Sequence, residues 1–375
     1  PQVRVQLMIS MARSYNQLSL GAPAVALMKQ ALQLQRRYMP EPLEAGRVYA
    51  QLGRGYSTML DEPSAIPADD RAIALLSQAR PRPMDEILRV RINQLYNHLA
   101  VLDIPLDQVQ RQIREILVTL EAKPGKHDRE LHLQALAVLA MTLGAQGEDD
   151  QAMATAHRAV EEAAHLYVAD DTNQVYYRFV ESLVSLRRHP EQALAGFRRA
   201  LADYDAMVGT PSPTLGTLLV YFGGALAQMG RTTDAVAILE RAVRIAGDYA
   251  GGSPDFYFGA LDSLARQYLE LGRYADAGAL LTPHLGDMRK RLSSGSVWST
   301  TNLADAMNVL GALTLHEGHP ALALRQFVQA RELLGAREQR ASPASYAAAL
   351  KGMGESFLAS GNVRQAVVWL AALQG

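Results

Sequence analysis

A chain of 375 residues with 49% hydrophobic and 20% charged residues can bury a sizeable core, and its formal net charge of −1 excludes the overall basic bias that draws proteins to nucleic acid or anionic membranes. The absence of cysteine excludes disulfides, thiolate zinc sites and a cysteine nucleophile. Aromatics make up only 6%, and alanine and leucine rather than β-branched residues supply the apolar positions, which favours helices. The longest apolar stretch, around Ala135 to Leu143, is far shorter than the roughly 20 residues that span a bilayer, so no membrane span is expected within the chain. It opens on Pro1 with no basic and apolar leader, and reads as an excised or processed piece of a longer protein.

One rhythm runs from end to end. A small residue, a bulky apolar residue four later and another small or apolar residue three after that recur, led by Ala24, Ala72, Val109, Ala152, Ala193, Ala235, Ala277, Ala323 and Ala366. Their spacings are 48, 37, 43, 41, 42, 42, 46 and 43 residues. A period near forty means stacked helix hairpins, and an array whose units touch only their neighbours can run this long as one body. The expectation is an all-α, right-handed superhelical solenoid of about nine antiparallel hairpins, a single array over residues 3–374. The hairpins fall at about 3–38, 42–80, 83–122, 128–168, 171–207, 212–249, 254–292, 297–337 and 342–374.

In chain order, the first hairpin pairs the run Leu7 to Tyr15 with Ala24, Met28 and Ala31. In the second, Leu52, Gly53 and Tyr56 fit the first helix, but Ala72 comes seven residues late, and the proline-containing segment Asp61 to Asp70 is expected to be a surface loop. The third, with Asn97, Ala100, Val109, Ile113 and Ile116, lacks the usual small residues and should pack more loosely or at a different angle. Asp149-Asp150 and Thr232-Thr233 mark the starts of second helices, and Ser212-Pro213, Ser253-Pro254 and Ser342-Pro343 pair a capping serine with a first-turn proline. Gly230, Gly272, Gly318 and Gly361 end first helices where a left-handed residue is wanted. Gly223, Gly311 and Gly354 sit where the helices of a pair cross too closely for a larger side chain.

These residues resemble the long-helix form of the tetratricopeptide repeat family over residues 3 to 374. The first repeat, from Leu7 to Ala31, resembles that of arrays attached to bacterial serine/threonine kinases and to membrane-anchored transcriptional regulators. That resemblance implies a sensing array behind a transmembrane helix, which favours the periplasm over the cytoplasm. Chaperone-binding members grip a terminal carboxylate with a Lys-Asn-Asn-Lys-Arg clamp; Arg91 and Gln94 are only partial substitutes for it.

Little else suggests chemistry. His316 and His319 flank Gly318 across a turn rather than lying four apart on one helix, and His127 with His132 is no better a metal pair. His189-Pro190 reads as a turn. Gly53 and Gly55 follow no strand and sit at a helix crossing rather than in a phosphate cradle. Glu161-Glu162 should face solvent, and Asp262 and Arg266, one turn apart, should pair. No catalytic site, metal or cofactor is expected.

Function should lie on the concave face formed by the first helices. The inward positions lie three and six before, and one after, the small residue of each first helix. They give Gln6, Ile9, Arg13, Arg47, Ala50, Arg54, Arg91, Gln94 and His98, with Arg178 from the fifth hairpin. Of the aromatic residues Tyr176, Tyr177, Phe179, Tyr221 and Phe222, most should pack in the core, while Phe179 and Tyr221 should face the groove. Arg13, Arg47, Arg54 and Arg91 stand without an acidic residue in that set, and guanidinium forks bind carboxylates. The expected partner is therefore a protein or peptide offering acidic or carboxylate groups, with no nucleic acid bound by the array.

Overall fold

The computed structural model describes residues 2–18, 20–38, 41–122, 126–167, 171–208, 213–249, 254–336, 339 and 342–373. Among them every regular element is a helix, and the helices follow one another in pairs. The pairs are α1 (Gln2–Gln17) with α2 (Gly21–Tyr38), α3 (Pro42–Thr58) with α4 (Glu62–Leu76), α5 (Met84–Val101) with α6 (Leu106–Glu121), and α7 (Lys126–Gln146) with α8 (Asp149–Leu166). Then come α9 (Thr172–Ser185) with α10 (Pro190–Val208), and α11 (Pro213–Gln228) with α12 (Thr232–Asp248). In the seventh pair α13 (Pro254–Glu270) is followed by α14 (Tyr274–Leu281) and α15 (Leu285–Arg291), joined by a 3-10 turn at Thr282–His284. The last are α16 (Val297–His316) with α17 (Pro320–Leu333), and α18 (Pro343–Ala359) with α19 (Val363–Ala371). None of these helices is long and apolar enough to cross a membrane.

The chain forms two compact units, residues 1–225 with 251–253 (unit 1) and residues 226–250 with 254–375 (unit 2). In unit 1 the helices pack in succession, and the core begins with Val5, Met8, Ala12, Ala24 and Met28 between α1, α2 and α3. All nine residues leading the repeated triplets are 2% exposed or less. The small-to-bulky contact also has a fixed chain distance: Gly311 meets Phe327, and Gly354 meets Leu370, each pair 16 residues apart.

That distance corrects the second hairpin. Gly53 meets Asp69, again 16 residues on, so the triplet is Ala65, Asp69 and Ala72, and Ala72 holds its third place rather than its first. Asp61 to Asp70 is accordingly no surface loop, because α4 starts at Glu62 and buries Ala65, Ala68, Asp69 and Ala72 on one face. Pro63 lies in the first turn, and Pro67 faces solvent, where only the hydrogen bond to the Pro63 carbonyl is forgone.

In the third hairpin α5 rests more extensively on α4 and α7 than on its own partner α6, while Val109, Ile113 and Ile116 are fully buried. Gly230, Gly272, Gly318 and Gly361 all adopt left-handed backbone (φ 70°, 72°, 80° and 78°), as does Gly147. In the second and third hairpins the same turn falls to Leu60 and Leu102 (φ 55° and 50°). Asp149 and Asp150 lie inside the first turn of α8, and Thr232 begins α12. Ser342 precedes α18, but its hydroxyl meets that of Ser345 at 2.6 Å instead of capping a backbone N–H. Ser212 and Ser253 lie outside the described residues.

In unit 2 the Phe327 ring is held between two helices. A Cβ at Gly311 on α16 would stand 2.8 Å from the ring, and one at Gly352 on α18 would stand 2.2 Å from it. The ring cannot retreat from one without meeting the other. Asp255 on α13, 1% exposed, binds the neighbouring elements by accepting hydrogen bonds from Arg291 (2.7 Å) and Ser299 (2.9 Å). Gly352→Ala is expected to lower stability by about 1–3 kcal/mol through overpacking. Gly224→Ala on α11, where nothing lies within 4 Å of the added methyl, is expected to raise it by up to about 1 kcal/mol. Urea unfolding of the two variants beside the parent checks both signs.

Candidate functional site

The described surface that gathers charged and phenolic groups is built by the first helices of unit 1, and its foundation is Asp69. This carboxyl, 1% exposed, occupies the bulky slot of the second hairpin. Its Oδ2 accepts hydrogen bonds from Asn93 Nδ2 (2.7 Å) and Asn97 Nδ2 (3.2 Å) on α5, while its Oδ1 lies against the Gly53 backbone without a hydrogen-bond donor. Asn93 also donates to Ser57 Oγ (3.1 Å), and its carbonyl oxygen accepts from Arg54 Nη1 (3.0 Å). Burial raises the Asp69 pKa to about 7, and the Asn93 bond, the Arg54 charge and the Asn97 bond hold it down only in part. Arg54 thus joins the buried acid to the surface.

The structure sorts the expected groove residues into three groups. Arg47 is not free, because its Nε and Nη2 fork grips Glu86 on α5 (2.9 and 2.7 Å) and its Nη1 reaches Glu44 (3.0 Å). Gln94 donates to Asp70 (2.7 Å), His98 meets Asp103 (2.8 Å), and Arg178 is held by Asp203 (2.6 Å) and Gln174 (2.8 Å). The counter-charges come from positions outside the inward set. Phe179 is core rather than groove, being 6% exposed with ring centroids 5.4 Å from both Phe197 and Tyr221.

Arg13, Arg54 and Tyr221 remain at the surface, Tyr221 43% exposed, and Arg91 is half-buried. Arg13 and Arg91 make no ion pair among the described residues.

Three further residues complete the surface, and the sequence pattern passed over them. Arg89 on α5 is solvent-exposed, yet its pKa is lowered, first by burial and also by the charges of Arg13 and Arg54; Glu130 and Asp85 oppose this. Tyr96 on α5 and Tyr176 on α9 are the others. Burial raises the pKa of Tyr96, Tyr176 and Tyr221; Tyr176 responds next to Tyr96, Arg54 and Tyr221, and Tyr221 next to Tyr96. Tyr176 and Tyr221 are nonetheless exposed, and Tyr96 is half-buried. Side chains from α1, α3, α5, α9 and α11 thus lie within electrostatic reach of one another in unit 1, and form a surface lined by phenols and the guanidiniums of Arg13, Arg54 and Arg89. Such a lining can hold carboxylates by charge-assisted hydrogen bonds and aromatic or aliphatic groups by stacking.

Elsewhere the expected chemistry is reassigned. His316 stacks on Tyr274 (centroids 3.9 Å apart) and His319 precedes α17, while the side chain of His127 lies outside the described residues. Glu162 is not simply solvated, since it takes hydrogen bonds with His132 (2.8 Å) and Arg158 (2.8 Å). Arg266 pairs with Asp305 on α16 (2.9 Å) rather than with Asp262. Among the described residues no group of three or more His, Asp or Glu is placed to hold a metal ion.

No family model matches the chain, and no curated protein is similar to it in sequence. Solved structures do share its fold. A Rap protein complexed with Competence and Sporulation Factor has 15% identity and a TM-score of 0.63, over 100% of this chain and 97% of that one. Aspartyl phosphate phosphatase F from Bacillus subtilis has 13% identity and a TM-score of 0.55, over 99% and 93%. The Rap conjugation gene regulator of the plasmid pLS20, in complex with the Phr* peptide, has 12% identity and a TM-score of 0.53, over 98% and 97%. The chain has a tetratricopeptide-like helical-repeat fold.

The Asp69 network carries a pH signature. With a folded pKa of about 7 against an ordinary 3.8, Asp69 keeps its proton in the folded state after the unfolded chain has lost it. Its contribution to stability therefore falls as pH rises from about 4 to about 7, by up to about 4 kcal/mol, and is level above that. Asp69→Asn keeps an acceptor for Asn93 and Asn97 and removes the titration. Thermal melts at pH 5 and pH 8 should show the parent losing more stability than the variant between the two.

Proposed function

We propose that this chain is a non-catalytic peptide- or protein-binding array, the sensory or scaffolding part of a larger bacterial signalling protein, with the phenol- and guanidinium-lined surface of unit 1 as its binding site. The observation that carries this reading is the convergence of Arg13, Arg54 and Arg89 with the phenols of Tyr96, Tyr176 and Tyr221, drawn from five helices spread along the repeat. Long sequence separation and a shared surface suit an extended ligand. The partner is a peptide segment carrying acidic side chains or a terminal carboxylate, because the surface offers guanidinium and phenol donors.

The parent protein on this reading is a serine/threonine kinase whose array lies beyond a membrane, in keeping with the resemblance of the first repeat. A second reading, as the signal-peptide or small-ligand receptor part of a transcriptional regulator, is favoured by the shared fold of the pLS20 conjugation gene regulator, whose structure holds the Phr* peptide.

Titration of fluorescein-labelled hexaglutamate against an uncharged glycine-serine peptide tests the surface. Hexaglutamate should bind more tightly, more weakly as salt rises, and Arg54→Ala or Arg89→Ala should each cost at least ~1 kcal/mol of affinity. Arg198→Ala, exposed on α10, should leave binding unchanged. Arg47→Ala should lower stability rather than affinity, since its fork is spent on Glu86. Equal binding of the two peptides would overturn the acidic-partner reading.

A further inference from the structure

A separate polar cluster in unit 2 has one positive charge fewer than its carboxyl groups call for. Asp262 on α13 is 2% exposed, and neither of its oxygens has a hydrogen-bond partner. Across the crossing, Asp305 on α16 is 9% exposed and takes Nη2 of Arg266 at 2.9 Å. Arg266 lies on α13 one turn beyond Asp262, the spacing at which the two side chains can also meet. Its side chain is 44% exposed, so it has room to turn. One guanidinium therefore serves two carboxyl groups and is committed to the outer one.

A buried acid left without a donor is stable only as the neutral form. Burial and then the Asp305 charge raise the Asp262 pKa well above its ordinary range, and Arg266 opposes them. The charged groups that act on Asp262 are Asp305 from α16 and Arg266 from its own helix; among the described residues α12 and α14 bring none to bear. Asn308, one turn beyond Asp305, keeps a buried carbonyl oxygen without a donor while its amide donates to the Ser345 carbonyl at 2.9 Å. The cluster thus has unused acceptors and no spare cation.

We propose that the Asp262–Arg266–Asp305 cluster receives a lysine or arginine side chain of a bound peptide, with Asp305 as its contact. The incoming cation takes Asp305, Arg266 turns back one helical turn to Asp262, and Asp262 gives its proton to solvent. Charge balances: a neutral acid and an Arg–Asp pair become two ion pairs, with one proton released for each cation bound. Affinity then rises with pH, up to about tenfold per unit while Asp262 is protonated in the free protein. This site is independent of the unit 1 surface, and the two are told apart by the sign of the peptide they prefer.

Fluorescein-labelled, N-acetylated hexalysine is titrated into the full chain at pH 6, 7 and 8 beside acetylated hexaglutamine; acetylation removes the terminal ammonium as a source of charge. Hexalysine should bind at least about tenfold more tightly than hexaglutamine, with affinity rising with pH. Calorimetry in phosphate and in Tris should show proton release. Asp305→Asn should remove most of the preference for hexalysine, Asp262→Asn should abolish proton release and the pH slope, and Asp287→Asn, at an exposed ion pair, should change neither. Equal binding of the two peptides, or hexalysine binding and proton release that survive both Asp262→Asn and Asp305→Asn, would overturn the proposal. Failure of hexaglutamate to bind would leave it standing.

Discussion

Helices that cross closely must leave a gap on one side and fill it from the other. In this chain the first helix of a hairpin offers a residue of little bulk, and the side chain 16 positions later enters the space, as Phe327 does against Gly311 and Leu370 against Gly354. Interior packing tolerates little change in volume, so this contact sets the helix separation. Everything on the inner faces follows from that spacing. It brings Arg47 within reach of Glu86, Arg54 of Asn93 and Arg266 of Asp305, each pair 39 residues apart in the chain.

Much of the fold was legible because the crossing leaves a periodic mark. Ala24, Ala193 and Ala323 announce their helices through spacing alone, and Gly230 or Gly361 through the left-handed turn that follows. Hairpin two departs from the pattern for two physical reasons. Pro63 and Pro67 look like helix breakers, yet one lies in a first turn and the other on the solvent side of α4. Asp69 breaks the apolar pattern because its burial is supported by asparagines on another helix, a contact invisible within a single repeat.

The candidate site was legible in kind more than in detail. Repeat position puts Arg54 and Tyr221 at exposed positions, but whether an arginine is free depends on what the next helix presents, and Glu86 claims Arg47 from outside the positions considered. Arg89, outside the repeat positions considered, is exposed, while Arg91, two residues along the same helix, is half-buried. Tyr176 reads as core from periodicity, but its ring is 37% exposed, while its neighbour Tyr177 is 3% exposed.

Two buried aspartates on inner crossings show how differently one residue type can be used. Asp262 has no hydrogen-bond donor at either oxygen, whereas Asp69 is held by amides of its own chain and takes the place that Phe327 and Leu370 fill in the last two hairpins. That exchange alters how the second and third hairpins respond to temperature. Exposure of apolar surface raises the heat capacity on unfolding and exposure of polar surface lowers it. A segment whose crossing closes on a carboxyl and two amides gains less heat capacity when it opens than one closing on phenylalanine or leucine. Its opening free energy should therefore follow a flatter curve with temperature, so that the parts of the array resist cold and heat in different proportions.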